Sequence, residues 1–132
     1  AKVKAAGLAD RILFVGEHKN IADWYRALDL FIAPQRWEGF GLTPLEAMAT
    51  AVPVVATDVG AFSELVRTEA PATGVVLSTI GAEAMARATA QLAASPENLA
   101  KMSENALAHA RSIFSIEGEA LSLGEQYKRL HP

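Results

Sequence analysis

The 132-residue sequence has no cysteine. Disulfide frameworks and cysteine-based zinc sites are thereby excluded, and a reducing, cytoplasmic setting is the expectation. Positive charge is scarce as well: 12 Lys and Arg stand against 15 Asp and Glu, for a net charge of −3 and a pI near 5.6. The cations are scattered along the chain, so no basic stripe marks a nucleic-acid partner. Long apolar runs are lacking too. Those at residues 30–34 and 52–56 are far too short to span a bilayer. The opening AKVKAAGLADR has neither an initiator Met nor the apolar stretch of a signal peptide, and it reads like the inside of a helix, as if cut from a longer chain. His18, His109 and His131 have no ligand-like spacing, so no metal site is expected. What the sequence does have is apolar mass: 51% of residues are hydrophobic and 20% charged, enough for one globular core in 14.0 kDa. That mass falls short of a typical two-domain enzyme.

The first half alternates short apolar runs with helical periods. Residues 12–15 (ILFV), closed by Gly16, read as a buried parallel strand. Ile21, Trp24, Tyr25 and Leu28 follow at helical spacing behind Asn20, a candidate cap, and Trp24 and Tyr25 read as core residues. Residues 30–33 form a second strand ended by Pro34, and residues 43–51 a helix. Residues 53–56 (PVVA) form a third strand closed by Asp58 and Gly60, residues 62–66 a short helix and residues 74–77 a fourth strand. Residues 82–90 alternate apolar with polar, but alanine is the best helix former and a poor strand former. Residues 80–94 are therefore expected to be helical, with Met85, Ala88 and Leu92 inward. Ser95 caps the next helix, opened by Pro96, with Leu99, Met102, Ala106 and Ile113 inward. Ser115 caps the last, with Ile116, Ala120, Leu123, Tyr127 and Leu130 inward. The expected fold class is α/β: a parallel sheet of about four strands, flanking helices and a helical C-terminal tail.

Chemistry is concentrated in residues 37–47, WEGFGLTPLEA. This is a strand-end loop with two glycines, followed at once by a helix. Thr43 is placed to cap that helix, Pro44 suits its first position and Glu46 its third, so TPLE reads as a capping box. A capping box by itself accounts for Glu46. Gly39 and Gly41 allow close approach of backbone to a ligand, or positive φ. The N–H groups of Leu42 and Thr43 would then point at whatever sits above the helix, and a phosphate is the natural guest. Glu38 and Glu46 bracket this cradle, and carboxylates accept hydrogen bonds from paired hydroxyls. A ligand carrying both phosphate and sugar hydroxyls, such as a nucleotide sugar, satisfies both groups. The turn at Asp58 and Gly60, with Glu64, lies on the same ligand side, where a plain turn and a solvated helix face explain it almost as well.

A dinucleotide-binding fingerprint competes with this reading. GFGLTP nearly matches Gly-x-Gly-x-x-Gly, and Asp58 follows 17 residues after Gly41. Pro44, however, occupies the third glycine position, and a strand and helix precede the motif where the fingerprint opens its domain. A non-catalytic interaction module that merely keeps the fold is a third alternative.

The spacing Glu38-x7-Glu46 in E-GFGLTPL-E resembles the E-x7-E motif of retaining GT-B glycosyltransferases of family 4 type, the glycosyl transferases group 1. RILFVG is similar to that family's V-x-F-x-G strand, and YRALDLFIAP to its Y-x-x-A-D-x-F-x-x-P segment. EAMATAVPVVATDVGAFSELV resembles the run that follows, and the likeness extends to about Leu130. The RWEGFGLTPLEAMA stretch is also similar to bacterial lipopolysaccharide core mannosyltransferases. Ala51 and Ala61 stand where that family usually has glycines.

The resemblance implies roles. Glu38 is the catalytic candidate, contacting donor-sugar hydroxyls near the reacting carbon. The backbone of Gly39, Phe40, Gly41 and Leu42 lines sugar and phosphate, Thr43 meets the diphosphate, and Glu46 grips the ribose. The loop after Gly16 lies near the base. Transfer proceeds with retention from a UDP- or GDP-sugar, with no metal or other cofactor expected. The glycan or lipid-linked acceptor is held by another domain, at the inner face of the cytoplasmic membrane for a peripheral enzyme. The implied fold is an incomplete Rossmann-like sheet, because in the strand order 3-2-1-4-5-6 the four strands here are 3, 4, 5 and 6. Residues 12–15 must then close up beside the next strand, pair with a second copy in a homodimer through the exposed sheet edge, or hang loose.

Overall fold

The computed structural model describes residues 1–130. Three short parallel strands form its sheet: β1 (Phe31–Ala33), β2 (Val54–Thr57) and β3 (Gly74–Leu77), in the order β1-β2-β3. Phe31 is in register with Val54, and Val54 with Gly74. Around them lie α1 (Lys2–Ala5), α2 (Ile21–Arg26), α3 (Leu42–Ala49), α4 (Phe62–Leu65), α5 (Ala82–Ala93), α6 (Pro96–Ile113) and α7 (Ile116–Leu130). All four residues of β2 are buried, as a central parallel strand with both faces covered should be.

The strand period of two divides the core. Val54 and Ala56 face Ala47, Met48, Phe62, Leu65, Ala106 and Ala110, so α3, α4 and α6 cover one side. Val55 faces Met85, Ala88, Leu92 and Met102, so α5 covers the other. The alanine-rich segment is therefore a helix with the expected stripe inward. Ser95 stands at the N-cap position with Pro96 first but makes no side-chain cap bond, whereas Ser115 Oγ accepts from the Gly118 N–H at 3.0 Å. Asn20 occupies the N-cap position of α2, but its amide donates to the Asp23 carboxylate instead of serving the helix backbone.

Four further expectations fail, three of them for one reason. Residues 12–15 form no strand and do not close up beside β1; Leu13 and Phe14 are each 79% exposed, so among the described residues the sheet has three strands. Ile113 is not inward but half exposed. On α7 no residue is buried: Ile116 is 85% exposed, and Ala120, Leu123, Tyr127 and Leu130 also face solvent. An apolar pattern states that a face needs covering and carries no information about what covers it. None of the described residues supplies that cover. The fourth failure, at the start of α3, has a local cause.

Candidate functional site

The loop from β1 to α3 lies at the carboxyl end of the sheet, and the turn after β2 fastens it from beneath. The Ala61 N–H donates to the Gly39 carbonyl at 3.2 Å. Gly60, with φ +54°, comes so close that a Cβ there would strike the Glu38 carbonyl and lie 2.6 Å from that of Gly39. Buried Thr57, the last residue of β2, donates its hydroxyl to the Gln35 carbonyl at 2.5 Å and so ties the start of the loop. Gly60, first read as an ordinary turn residue, is thus the point where two loops touch.

The capping box does not form. Gly41, with φ +97°, is the N-cap, and α3 begins at Leu42 with no side-chain cap bond. Gly41 is buried against Phe62 and Leu65; a side chain there would lie 3.1 Å from Leu65 Cδ1 and inside the Phe62 ring. This left-handed turn starts the helix two residues before Thr43 can cap it, which is why the TPLE pattern misleads. Thr43 and Pro44 become residues two and three of the first turn. Pro44 has no N–H, and the Leu45 N–H reaches the Gly41 carbonyl at 3.4 Å. The N–H groups of Leu42 and Thr43 therefore have no protein acceptor among the described residues, and both residues are exposed.

Glu46, released from capping, stands exposed with Tyr25 Oη donating to its Oε2 at 3.0 Å. Tyr25 is buried, its ring edge-on to Phe31 at 5.7 Å between centroids. Burial first, and the Glu46 carboxylate second, push its phenol pKa up to about 12, so it stays a donor at any working pH. Tyr25 was expected only to pack; its place in the Y-x-x-A-D segment was the signal that it could do more. Glu38 folds back, its Oε1 accepting from the Gly39 N–H at 2.8 Å. The space over Gly39 is open, with nothing within 4 Å of where a Cβ would stand, and Phe40 is half exposed. The structure thus brings Glu38, Gly39, Phe40, Gly41, Leu42, Thr43 and Glu46 onto one loop and the first turns of one helix. Gly16 lies in the unpaired N-terminal stretch. Among the described residues no group of three or more His, Asp or Glu could hold a metal ion, and no helix is long and apolar enough to cross a membrane.

Residues 1–95 match the family model described as glycosyl transferases group 1. The chain is 60% identical over 129 residues to the lipopolysaccharide core biosynthesis mannosyltransferase LpsB of Rhizobium meliloti, covering 98% of this chain and 37% of that protein. The chain thus spans little more than a third of that relative's length. Among solved structures, Anabaena Alr3699/HepE in complex with UDP superposes with a TM-score of 0.87 at 26% identity, over 97% of this chain and 35% of that one. The C-terminal domain of a glycosyl transferase group 1 family protein, LpcC of Francisella tularensis, superposes with a TM-score of 0.75 at 31% identity, over 87% of this chain and 60% of that one. With its Rossmann-like parallel sheet, its glycine loop and its two spaced glutamates, the chain belongs to the glycosyl transferases group 1 family.

Proposed function

We propose that these residues form the nucleotide side of the donor site in the C-terminal domain of a retaining hexosyltransferase, which moves a sugar from a UDP- or GDP-linked donor to a glycan or lipid-linked acceptor. The observation that carries the proposal is the arrangement on α3. Two unpartnered N–H groups open its first turn, and about one turn further on stands a carboxylate oriented by Tyr25. A nucleoside diphosphate offers the matching order of groups, an anion and then vicinal hydroxyls. In this reading the diphosphate lies against the Leu42 and Thr43 amides and the ribose hydroxyls donate to Glu46. The donor sugar sits over Gly39, with Glu38 accepting from its hydroxyls.

As the bond to the sugar breaks, negative charge grows on the departing diphosphate. Amides already fixed by the Gly41 turn, at the positive end of α3, stabilise that charge more than they stabilise the ground state. No metal is assigned a part, and chelation is expected to leave donor binding unchanged. The mannosyltransferase relative supports mannosyl transfer to a lipopolysaccharide core as the reaction, and the neighbour solved with UDP supports a nucleoside diphosphate in the donor site. The acceptor is assigned to protein outside these 132 residues, working at the cytoplasmic face of the membrane, and the segment alone is expected to bind donor without turning it over.

Calorimetric titration of UDP and GDP into the chain tests this reading. Glu46→Ala removes charge-assisted hydrogen bonds worth roughly 1.5–3 kcal/mol each. Losing one lowers affinity by about tenfold to a hundredfold. An unchanged affinity in Glu46→Ala would remove the ribose role.

A further inference from the structure

The glycine loop is held from beneath by the end of α6, through two side chains that no part of the donor chemistry requires. His109 is 5% exposed, and its Nε2 donates to the Leu65 carbonyl at 3.1 Å. Leu65 ends α4, a helix of one turn whose last carbonyls need partners from elsewhere. It is Leu65 and Phe62 of α4 that fill the space directly under Gly41. Phe114, the residue after α6, stands edge-on to the His109 ring at 5.8 Å and 88°. Its own backbone is fixed by an N–H bond to the Ala110 carbonyl at 3.1 Å. The Phe114 ring also meets Phe40, in the loop itself, at 6.3 Å between centroids and 75°. Successive loop residues thus rest on successive supports, Phe40 on Phe114 and Gly41 on α4, and both supports lead to His109.

We infer that Phe114 is a positioning residue for the donor loop, with His109 as its backstop. Phe40 is half exposed, so burial in the core does not account for where its ring lies. The Phe114 contact does, and it adds a side-chain hold to a loop whose backbone Ala61 and Gly60 grip from the turn after β2. The same two phenylalanines border a groove of ≈ 590 Å³ against α7, lined also by Leu45, Ile116 and Leu123. The path of the chain out of α6 is therefore mechanically connected to the donor loop. What the loop receives, a nucleotide sugar, rests on the function proposed above; that Phe114 sets the loop does not.

Nitrogen-15 relaxation and UDP or GDP titration of the same chain provide the test. Phe114→Leu should lower the order parameters of Gly39–Leu42 while leaving those of β2 unchanged, and should weaken nucleotide binding roughly tenfold. Phe114→Tyr, which keeps the aromatic edge, should restore both. Phe40→Leu approaches the contact from the solvent side and keeps the question answerable if Phe114→Leu fails to fold; it should loosen the same residues. In the double variant the two losses should not multiply, since both remove one contact. Unchanged loop order parameters in the single variants, or independent effects in the double one, would overturn the inference. Wild-type chain that binds neither nucleotide would instead overturn the donor reading, and the relaxation data would still judge Phe114.

Discussion

At Ala51 the backbone turns with φ +65°, in the left-handed region, directly after α3. The Val52 N–H reaches the Ala47 carbonyl and the Ala51 N–H the Met48 carbonyl, each at 3.0 Å, which is a Schellman ending with alanine where glycine is favoured. Left-handed backbone costs a non-glycine residue about 1–2 kcal/mol. The extra freedom of glycine in the unfolded chain takes back about 0.4–1 kcal/mol of any gain. Ala51→Gly should therefore stabilise the fold by up to about 1 kcal/mol, a melting point higher by roughly 3 °C in calorimetry. A lower melting point would show that the turn is not strained. His109 makes the opposite kind of prediction. Burial, with the Arg67 charge adding to it, lowers its pKa below the ordinary 6.5. The neutral ring is thus what the fold stabilises; that contribution is present above pH 6.5 and lost as pH falls from there through the lowered folded value. Denaturant midpoints taken from about pH 7.5 to about pH 5.5 should fall more steeply for the wild type than for His109→Gln, and equal slopes would assign the acid sensitivity elsewhere.

Between β1 and α3 the same glycine pattern hides two different jobs. Gly41 is held at positive φ against Phe62, so Gly41→Ala should cost stability, and with it nucleotide affinity. Gly39 has open space around it and no such φ. Gly39→Ala should leave the melting point unchanged or slightly higher while weakening UDP or GDP binding, because the added methyl enters the space assigned to the donor. A Gly39→Ala chain that binds nucleotide as tightly as wild type would place the sugar elsewhere. The order of elements was legible in the sequence, since strands β1 to β3 are short apolar runs with breakers and α5 is alanine-rich. The start of α3 was not. Its capping-box pattern is real, but a left-handed glycine two residues earlier captures the helix first, with Phe62 and Leu65 packed beneath it. The bond from Tyr25 to Glu46 joins residues 21 positions apart, a distance at which periodicity carries no signal.

Across the whole molecule the unmet apolar patterns gather in three places: α7 with its solvent-facing stripe, the outer edge of β1, and residues 12–15. Among the described residues β1 pairs only with β2, so its other edge presents backbone donors and acceptors without a strand partner beside Ile32, itself 42% exposed. An open edge in one copy and an unpaired, fully apolar segment of strand-forming residues in another make a template for pairing between chains. Sedimentation of the 132-residue chain should show association that grows with concentration. Leu13→Lys with Phe14→Lys should suppress it without lowering the melting point, because both side chains are already in water and leave no cavity behind. If the double variant associates as the wild type does, α7 is the adhesive surface, and Ile116→Lys, at the most exposed large apolar residue among those described, should then be the change that suppresses it. A wild-type chain that sediments as a monomer at all concentrations would mean that the three-residue edge is too short to hold a second copy.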